Sequence, residues 1–129
     1  MSYLNQTVIN EIQAELTNNF RQLRQDIIQI LLDSENPSDH LTAKKIQNLS
    51  RDELLDIICQ LSVPAINGKT LTIKSIDAAL NNIDIDMYGL CADCENEIGL
   101  EALKKDPTQQ RCASCEIKYQ KQKYNNFKL

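Results

Sequence analysis

The residues of this 129-residue chain with the clearest chemical potential are its cysteines. Four of the five form two C-x-x-C pairs, Cys91-Ala-Asp-Cys94 and Cys112-Ala-Ser-Cys115, with 17 residues between the pairs. Two intervening residues let one tight turn present both sulfurs to an ion, and four thiolates form a closed tetrahedral zinc site. The spacing therefore predicts one structural zinc ion bound by Cys91, Cys94, Cys112 and Cys115, with no coordination position open for catalysis.

Paired cysteines have three other uses. A redox C-x-x-C motif usually stands alone in a βαβ unit, and two disulfides need an oxidising compartment. The start of the chain lacks the basic flank and small-residue cleavage site of a secretory signal, so we expect a cytoplasmic protein with reduced thiols. An iron–sulfur cluster also uses four thiolates, although paired knuckles favour zinc. The fifth cysteine, Cys59, lies in an apolar run and is expected to be a small buried side chain.

The segment around the cysteines is too poor in apolar residues to fold by itself. Its main apolar residues between the pairs are Ile98, Leu100 and Leu103. Structural zinc contributes about 10–16 kcal/mol to folding, so the metal is expected to supply the deficit. Gly89, two residues before Cys91, can adopt the positive φ that a knuckle turn needs.

Charge and composition exclude several classes of function. Residues 1–103 carry 7 basic and 16 acidic side chains, a net charge of −9, whereas 104–129 carry 7 and 2, a net charge of +5. An acidic body argues against sequence-specific DNA binding; the basic end could contact nucleic acid or an acidic protein, and a solvated tail is the simpler interpretation. No apolar run is long enough for a membrane span. His40 is the one histidine and is expected to be exposed, and the sequence contains no P-loop, G-x-G-x-x-G or H-E-x-x-H motif. We therefore do not expect the chain to be an enzyme.

The elements that must position the cysteines are helices. Residues 4–33 have apolar side chains at helical spacing, with a seven-residue repeat at Ile9, Leu16, Leu23 and Ile30. The polar stretch 33–39 breaks this helix. Helical signals return over 41–49, and Ser50 with Glu53 forms a capping box. Pro64 disfavours helix, and Asn67-Gly68 predicts a turn or kink. A second periodic arm then presents Ile73, Ile76, Leu80 and Ile83 to the first.

These signals predict an all-α fold: an antiparallel helical hairpin or coiled coil, then a small four-cysteine zinc finger. The expected divisions are a hairpin with a tip loop over 1–86, the zinc finger over 87–119, and a polar basic tail over 120–129.

Several segments add a pattern that is more specific than the cysteines alone. They are Ile76-Asp-Ala-Ala-Leu80, Ile83, Met87-Tyr-Gly-Leu-Cys-Ala-Asp-Cys94, Ile98-Gly99, Leu103, Pro107-Thr108 and Cys112-Ala-Ser-Cys115. Together, without a gap over about 40 residues, they resemble the DksA/TraR family of bacterial RNA polymerase regulators. The resemblance implies an N-terminal antiparallel coiled coil, a four-cysteine zinc finger and a C-terminal helix. It also implies that the coiled-coil tip enters the polymerase secondary channel toward the catalytic magnesium and alters initiation, often together with ppGpp at the polymerase interface, while the finger braces the coiled coil.

The resemblance leaves two positions for the tip, which in the family usually carries paired aspartates. Counting back from Cys91 without gaps puts the tip at 48–56, where Asn48 and Arg51 occupy the usual acidic positions. The segment 36–39 looks more like the tip motif but requires about a dozen extra residues in the second arm, which 64–68 could absorb. The candidate tip residues are therefore Asp39, Asp52, Glu53 and Asp56. A further departure is Glu95, which replaces the glycine common after the second cysteine.

Two hypotheses of different classes follow. The first is a transcription regulator that binds RNA polymerase and modulates initiation through its tip. The second is a zinc-dependent interaction or scaffold protein, dimeric through the heptad seam, without polymerase activity. Co-purification with core polymerase would separate them.

Overall fold

The computed structural model describes residues 4–127, with side chains described through Lys123. The helices are α1 (Gln6–Asp33), α2 (Pro37–Ile46), α3 (Arg51–Gln60), α4 (Asn67–Asp84), α5 (Leu100–Lys105) and α6 (Ala113–Phe127), with a 3-10 turn at Pro64–Ile66. Within 4–127, β-structure is limited to one isolated antiparallel bridge between Leu90 and Glu97. In this part of the chain, no helix is both long and apolar enough to cross a bilayer. The all-α prediction, with a helical hairpin, a cysteine module and a C-terminal helix, is confirmed.

The long first helix is confirmed, and its buried face is broader than the predicted seam. The Asn5 side chain caps α1 by accepting a hydrogen bond from the Thr7 backbone N–H at 2.7 Å. Ile9 and Leu16 are buried as expected, but Leu23 and Ile30 are only half-buried. The buried residues in this part of α1 are Phe20, Ile27, Ile28 and Leu31. The strict heptad seam is therefore wrong beyond Leu16, because α1 contacts more than one helix there.

The second arm is not one helix. The Leu61 backbone N–H closes α3 by donating to Ile58 O at 3.1 Å, and Val63 is extended before Pro64, as the residue before a proline tends to be. The expectation that Pro64 disfavours α-helix is thus confirmed, and the second arm is broken between Gln60 and Asn67. Of the turn or kink predicted at Asn67-Gly68, the turn is wrong, since both residues lie at the start of α4, where Gly68 is exposed.

Side-chain contacts fix how the helices over residues 14–78 are arranged. Arg24 of α1 donates to Gln47 O just past the end of α2, so α2 runs back along α1. Arg51 at the start of α3 pairs with Asp77 of α4, and Lys69 near the start of α4 pairs with Asp26 of α1. α2 is therefore antiparallel to α1, and α3 is antiparallel to α4. Together the four helices over residues 14–78 form a four-helix bundle.

The chain divides into two compact units, and each has its own core. One unit is the four-helix bundle, residues 14–78; the other combines 4–13 with 79–127. Leu16, Ile27, Leu31, Ile46, Leu54, Ile58, Ile66 and Ile73 are almost completely buried in the first unit. In the second unit, α6 begins inside the cysteine module and continues to Phe127. Residues 120–127, which the sequence indicates as a polar tail, are therefore helical.

Candidate metal centre

The first cysteine pair lies on a knuckle that backbone hydrogen bonds hold closed. Gly89 has φ of 88°, as predicted, and its carbonyl accepts from the Ile98 N–H at 2.7 Å. The Cys91 N–H donates to Asn96 O at 2.8 Å, and the Glu95 N–H donates back to Cys91 O at 3.0 Å. This crossed pair bends the chain so that Cys91 and Cys94 sit on one turn. Glu95 follows that turn with φ of 63°, in the left-handed region that glycine adopts most readily.

The second pair lies at the start of a helix. Cys112 directly precedes α6, and Cys115 lies in its first turn, where the Glu116 N–H donates to Cys112 O at 2.9 Å. Helix N-termini favour negative charge, because their free N–H groups and macrodipole point toward it. The N-terminus of α6 thus suits a thiolate pair and fixes the direction in which the helix leaves the module.

The two knuckles are joined by a small core and a few cross-links. The Ala92 N–H donates to Gln110 O at 2.7 Å, and the Tyr88 hydroxyl donates to Pro107 O at 2.7 Å. Ile98 and Leu103 are almost completely buried between them. The core is as small as the sequence indicates, so an ion bound by all four sulfurs would add the strongest link between the two halves.

The four sulfur atoms form the compact set that a tetrahedral ion requires. The Sγ atoms of Cys91, Cys94, Cys112 and Cys115 all lie within 4.8 Å of one another. The Cys94 and Cys112 sulfurs are 3.8 Å apart. A tetrahedron with Zn–S bonds of about 2.3 Å has edges of about 3.8 Å, whereas a disulfide needs about 2.05 Å. The donor set therefore fits one metal ion, and the choice of all-thiolate ligands fits zinc.

The pKa values of these thiols indicate which of them hold a proton that a metal ion must displace. Burial acts to raise the pKa of Cys91, but the backbone N–H groups of Cys94, Cys112 and Asp93 outweigh it and lower that pKa to about 6. Hydrogen bonds with Cys112 and Cys91 raise the pKa of Cys115 to about 12. The Asn96 N–H acts to lower the pKa of Cys94, but the hydrogen bond between the Cys94 and Cys91 side chains, together with burial, leaves the pKa of Cys94 raised. At neutral pH the metal-free cluster thus keeps protons that an incoming cation has to release.

The candidate tip residues lie in two places within the four-helix bundle. Asp39 is in the first turn of α2, where its Oδ2 accepts from the Ser34 hydroxyl at 2.6 Å. The other three lie on α3: Asp52 and Asp56 are exposed, and Glu53 is in the capping box with Ser50 that the sequence predicts. The structure therefore does not bring Asp39 together with the α3 carboxylates.

Two features of this region differ from the sequence-based expectations. His40, expected to be exposed, is half-buried, and its Nε2 donates to Ser34 O at 2.6 Å, so it helps to hold the α1–α2 turn. Cys59, expected to be buried, is exposed on α3, because the buried face of that helix is formed by Leu54 and Ile58. Arg51, at a position that is acidic in the gapless register, is paired with Asp77.

Comparison with known proteins relates the chain to one group of bacterial factors. It is 40% identical over 42 residues to the RNA polymerase-binding transcription factor DksA of Haemophilus influenzae, a match that covers 33% of this chain and 29% of that protein. The solved structure of transcription factor DksA2 from Pseudomonas aeruginosa superposes with a TM-score of 0.60 over 95% of this chain and 90% of that one, at 18% identity. No protein-family model matches the chain. The chain is therefore similar to DksA proteins in one 42-residue segment and shares the fold of a solved DksA2 structure.

Proposed function

We propose that this protein is a transcription regulator that binds bacterial RNA polymerase and contains one structural zinc ion. The observation that carries this proposal is a cluster of four cysteines in a helical chain that matches a polymerase-binding factor locally in sequence. The role requires no covalent chemistry: the zinc holds the finger together, and the helices provide the contact surface. Functionally, we propose that residues 1–86 carry the tip, 87–119 form the base, and 120–129 add a basic end.

The tip of the proposed regulator is the α1–α2 turn, residues 34–40. This turn lies where α1 ends, at one end of the four-helix bundle, and is ordered by its own hydrogen bonds. Asn36 accepts from the Ser38 N–H at 2.9 Å as the N-cap of α2, and the Asn36 N–H donates to Ser34 Oγ at 3.1 Å. Asp39 is the carboxylate within this ordered turn. The alternative segment, 48–56, comprises the α2–α3 turn and the first six residues of α3, where Arg51 is held against Asp77.

We further propose that this end of the bundle enters the polymerase secondary channel. There Asp39 would act near the catalytic magnesium and alter the lifetime of initiation complexes, with ppGpp bound at the polymerase interface as a second effector. Direct reading of DNA is not part of the role, since residues 1–103 carry a net charge of −9.

A zinc-dependent scaffold is the second candidate function, and one observation favours it. The segment between the hairpin arms folds into α2 and α3, which pack beside α1 and α4. A four-helix end is wider than the two-helix end of a simple coiled coil and therefore enters a narrow channel less easily. Binding to purified core polymerase separates the two functions: the regulator binds it and the scaffold does not.

The tip assignment is tested with variants that separate charge from loop geometry. Asp39→Asn keeps an oxygen that can accept from Ser34, whereas Ser34→Ala removes that hydrogen bond and keeps the carboxylate. Asp52→Asn is the matched charge change on α3. We expect Asp39→Asn alone to abolish regulation of a ribosomal-type promoter while polymerase affinity stays unchanged, with and without ppGpp.

Three results would contradict parts of this proposal. Loss of regulation in Asp52→Asn alone would move the tip to 48–56. Equal loss in Ser34→Ala and Asp39→Asn would make the geometry of the turn the cause rather than the charge. Normal regulation by all three variants would exclude a tip-based mechanism and favour the scaffold.

A further inference from the structure

One side chain contacts both cysteine knuckles. The Arg111 Nε donates to Asp93 Oδ2 at 3.0 Å, and Nη1 lies 3.9 Å from Glu116 Oε2. Its guanidinium carbon is 3.9 Å from the centre of the Tyr119 ring on α6. The arginine side chain is 24% exposed, less than either carboxylate that it meets. These contacts make Arg111 the centre of a polar cluster on the surface of the finger.

Three residues of this cluster are direct sequence neighbours of cysteines. Asp93 directly precedes Cys94, Arg111 directly precedes Cys112, and Glu116 directly follows Cys115. One guanidinium therefore links residues next to three of the four sulfurs, and its contact with Asp93 crosses from the second knuckle to the first. Because the apolar core between the knuckles is small, a side chain that fixes their separation limits how far the sulfurs can move apart.

The charge of Arg111 suits this position as well. Four thiolates around a divalent ion carry a net charge of −2, and a cation held nearby reduces the cost of collecting that charge. A guanidinium can do so while donating to one carboxylate, meeting a second and stacking on an aromatic ring. Lysine has the charge but lacks the planar fork, so only arginine makes all three contacts together.

We propose that Arg111 is a positioning residue for the metal site, which prearranges the two knuckles and thereby strengthens retention of the ion. The inference rests on the proposed zinc site and is independent of polymerase binding. Groups that orient metal ligands typically change metal affinity 10–100-fold when they are removed. We expect a loss of that order from Arg111→Met, which keeps the alkyl chain and removes the charge and the fork.

The experiment measures zinc affinity of the full chain by competition with a chromophoric chelator, and the visible spectrum of the cobalt-substituted protein. The variants are Arg111→Met, Arg111→Lys and Asp93→Asn, alone and with Arg111→Met. The control is Lys104→Met, which removes the same charge from an exposed position on α5. Far-UV circular dichroism of each variant checks that the helices stay folded.

We expect affinity to fall in the order wild type, Arg111→Lys, Arg111→Met, with the cobalt spectrum altered in Arg111→Met and the control unchanged. Asp93→Asn should add less than twofold in the Arg111→Met background, because the two residues act through one contact. An Arg111→Met affinity within twofold of wild type, or a loss matched by Lys104→Met, would overturn the inference. If the wild-type chain itself binds no zinc, the metal site fails instead, and the two failures are distinct.

Discussion

The Arg51–Asp77 ion pair is one of the contacts that hold α3 against α4. Arg51 Nη1 lies 3.1 Å from Asp77 Oδ1, with side-chain exposures of 32% and 10%. A hydrogen bond between charged groups contributes about 1.5–3 kcal/mol. Because about a third of the Arg51 side chain is exposed, water partly screens this pair, and we expect a value below the top of that range. We therefore expect Arg51→Met, which keeps most of the alkyl chain, to lower the free energy of unfolding by about 2 kcal/mol.

A second ion pair in the same bundle provides a matched control. Lys69 Nζ lies 3.7 Å from Asp26 Oδ2, and both side chains are more than one-third exposed, at 37% and 38%. Exposed pairs contribute about 0–1 kcal/mol because water screens them. Lys69→Met removes the same charge from the same bundle, so we expect it to cost less than half as much as Arg51→Met.

Urea unfolding followed by far-UV circular dichroism measures both changes, because most of the signal comes from the helices. With a urea dependence of about 1–3 kcal/mol per molar, 2 kcal/mol shifts the midpoint by roughly 1 M. Equal shifts in the two variants would refute the reasoning from burial. An undiminished effect of Arg51→Met in an Asp77→Asn background would show that the ion pair is not its cause.

Four further predictions concern the cysteine module and the exposed thiol. Glu95→Gly should raise the unfolding free energy of the metal-loaded protein by about 1 kcal/mol, because glycine has no penalty at positive φ; an unchanged or lower thermal midpoint would contradict this. Zinc affinity should rise with pH through the neutral range, because binding releases protons from Cys94 and Cys115, whose pKa values are raised; a flat profile in chelator competition would contradict it. Cys112→Ser should release the metal and unfold residues 88–119, which full zinc retention by elemental analysis would disprove. In the zinc-loaded protein, Cys59 should be the one thiol that reacts fast with a thiol reagent, and Cys59→Ser should abolish that phase.

The parts of the structure that local chemistry determines could be predicted from the sequence. The clustering of the four cysteines follows from their spacing, and the start of α3 follows from Ser50 and Glu53, because a capping box needs only four consecutive residues. The turn at Gly89 follows in the same way. Each of these signals depends on neighbours in the chain and not on tertiary packing.

The parts that depend on packing could not be predicted. Leu23 and Ile30 fit a heptad, but the choice of which apolar residues are buried depends on how many helices surround α1. Asn67-Gly68 is a typical turn sequence, yet α4 includes both residues, because the 3-10 turn at Pro64–Ile66 leads directly into that helix. The guanidinium contacts of Arg111 join residues that are 18 apart in the chain, and no local pattern marks such a pair.

The division into a continuous unit, 14–78, and a discontinuous one has a consequence for synthesis on the ribosome. The continuous unit has all its core residues once its own segment has emerged, so it can fold while the rest is being translated. Leu4, Ile9 and Ile12 belong to the other unit and must wait for residues 79–127. At 5–20 residues per second, that delay is roughly 5–20 s, during which these apolar side chains have no native partners from 79–127. Nascent chains halted before the second cysteine pair should therefore expose this N-terminal segment to chaperones and proteases.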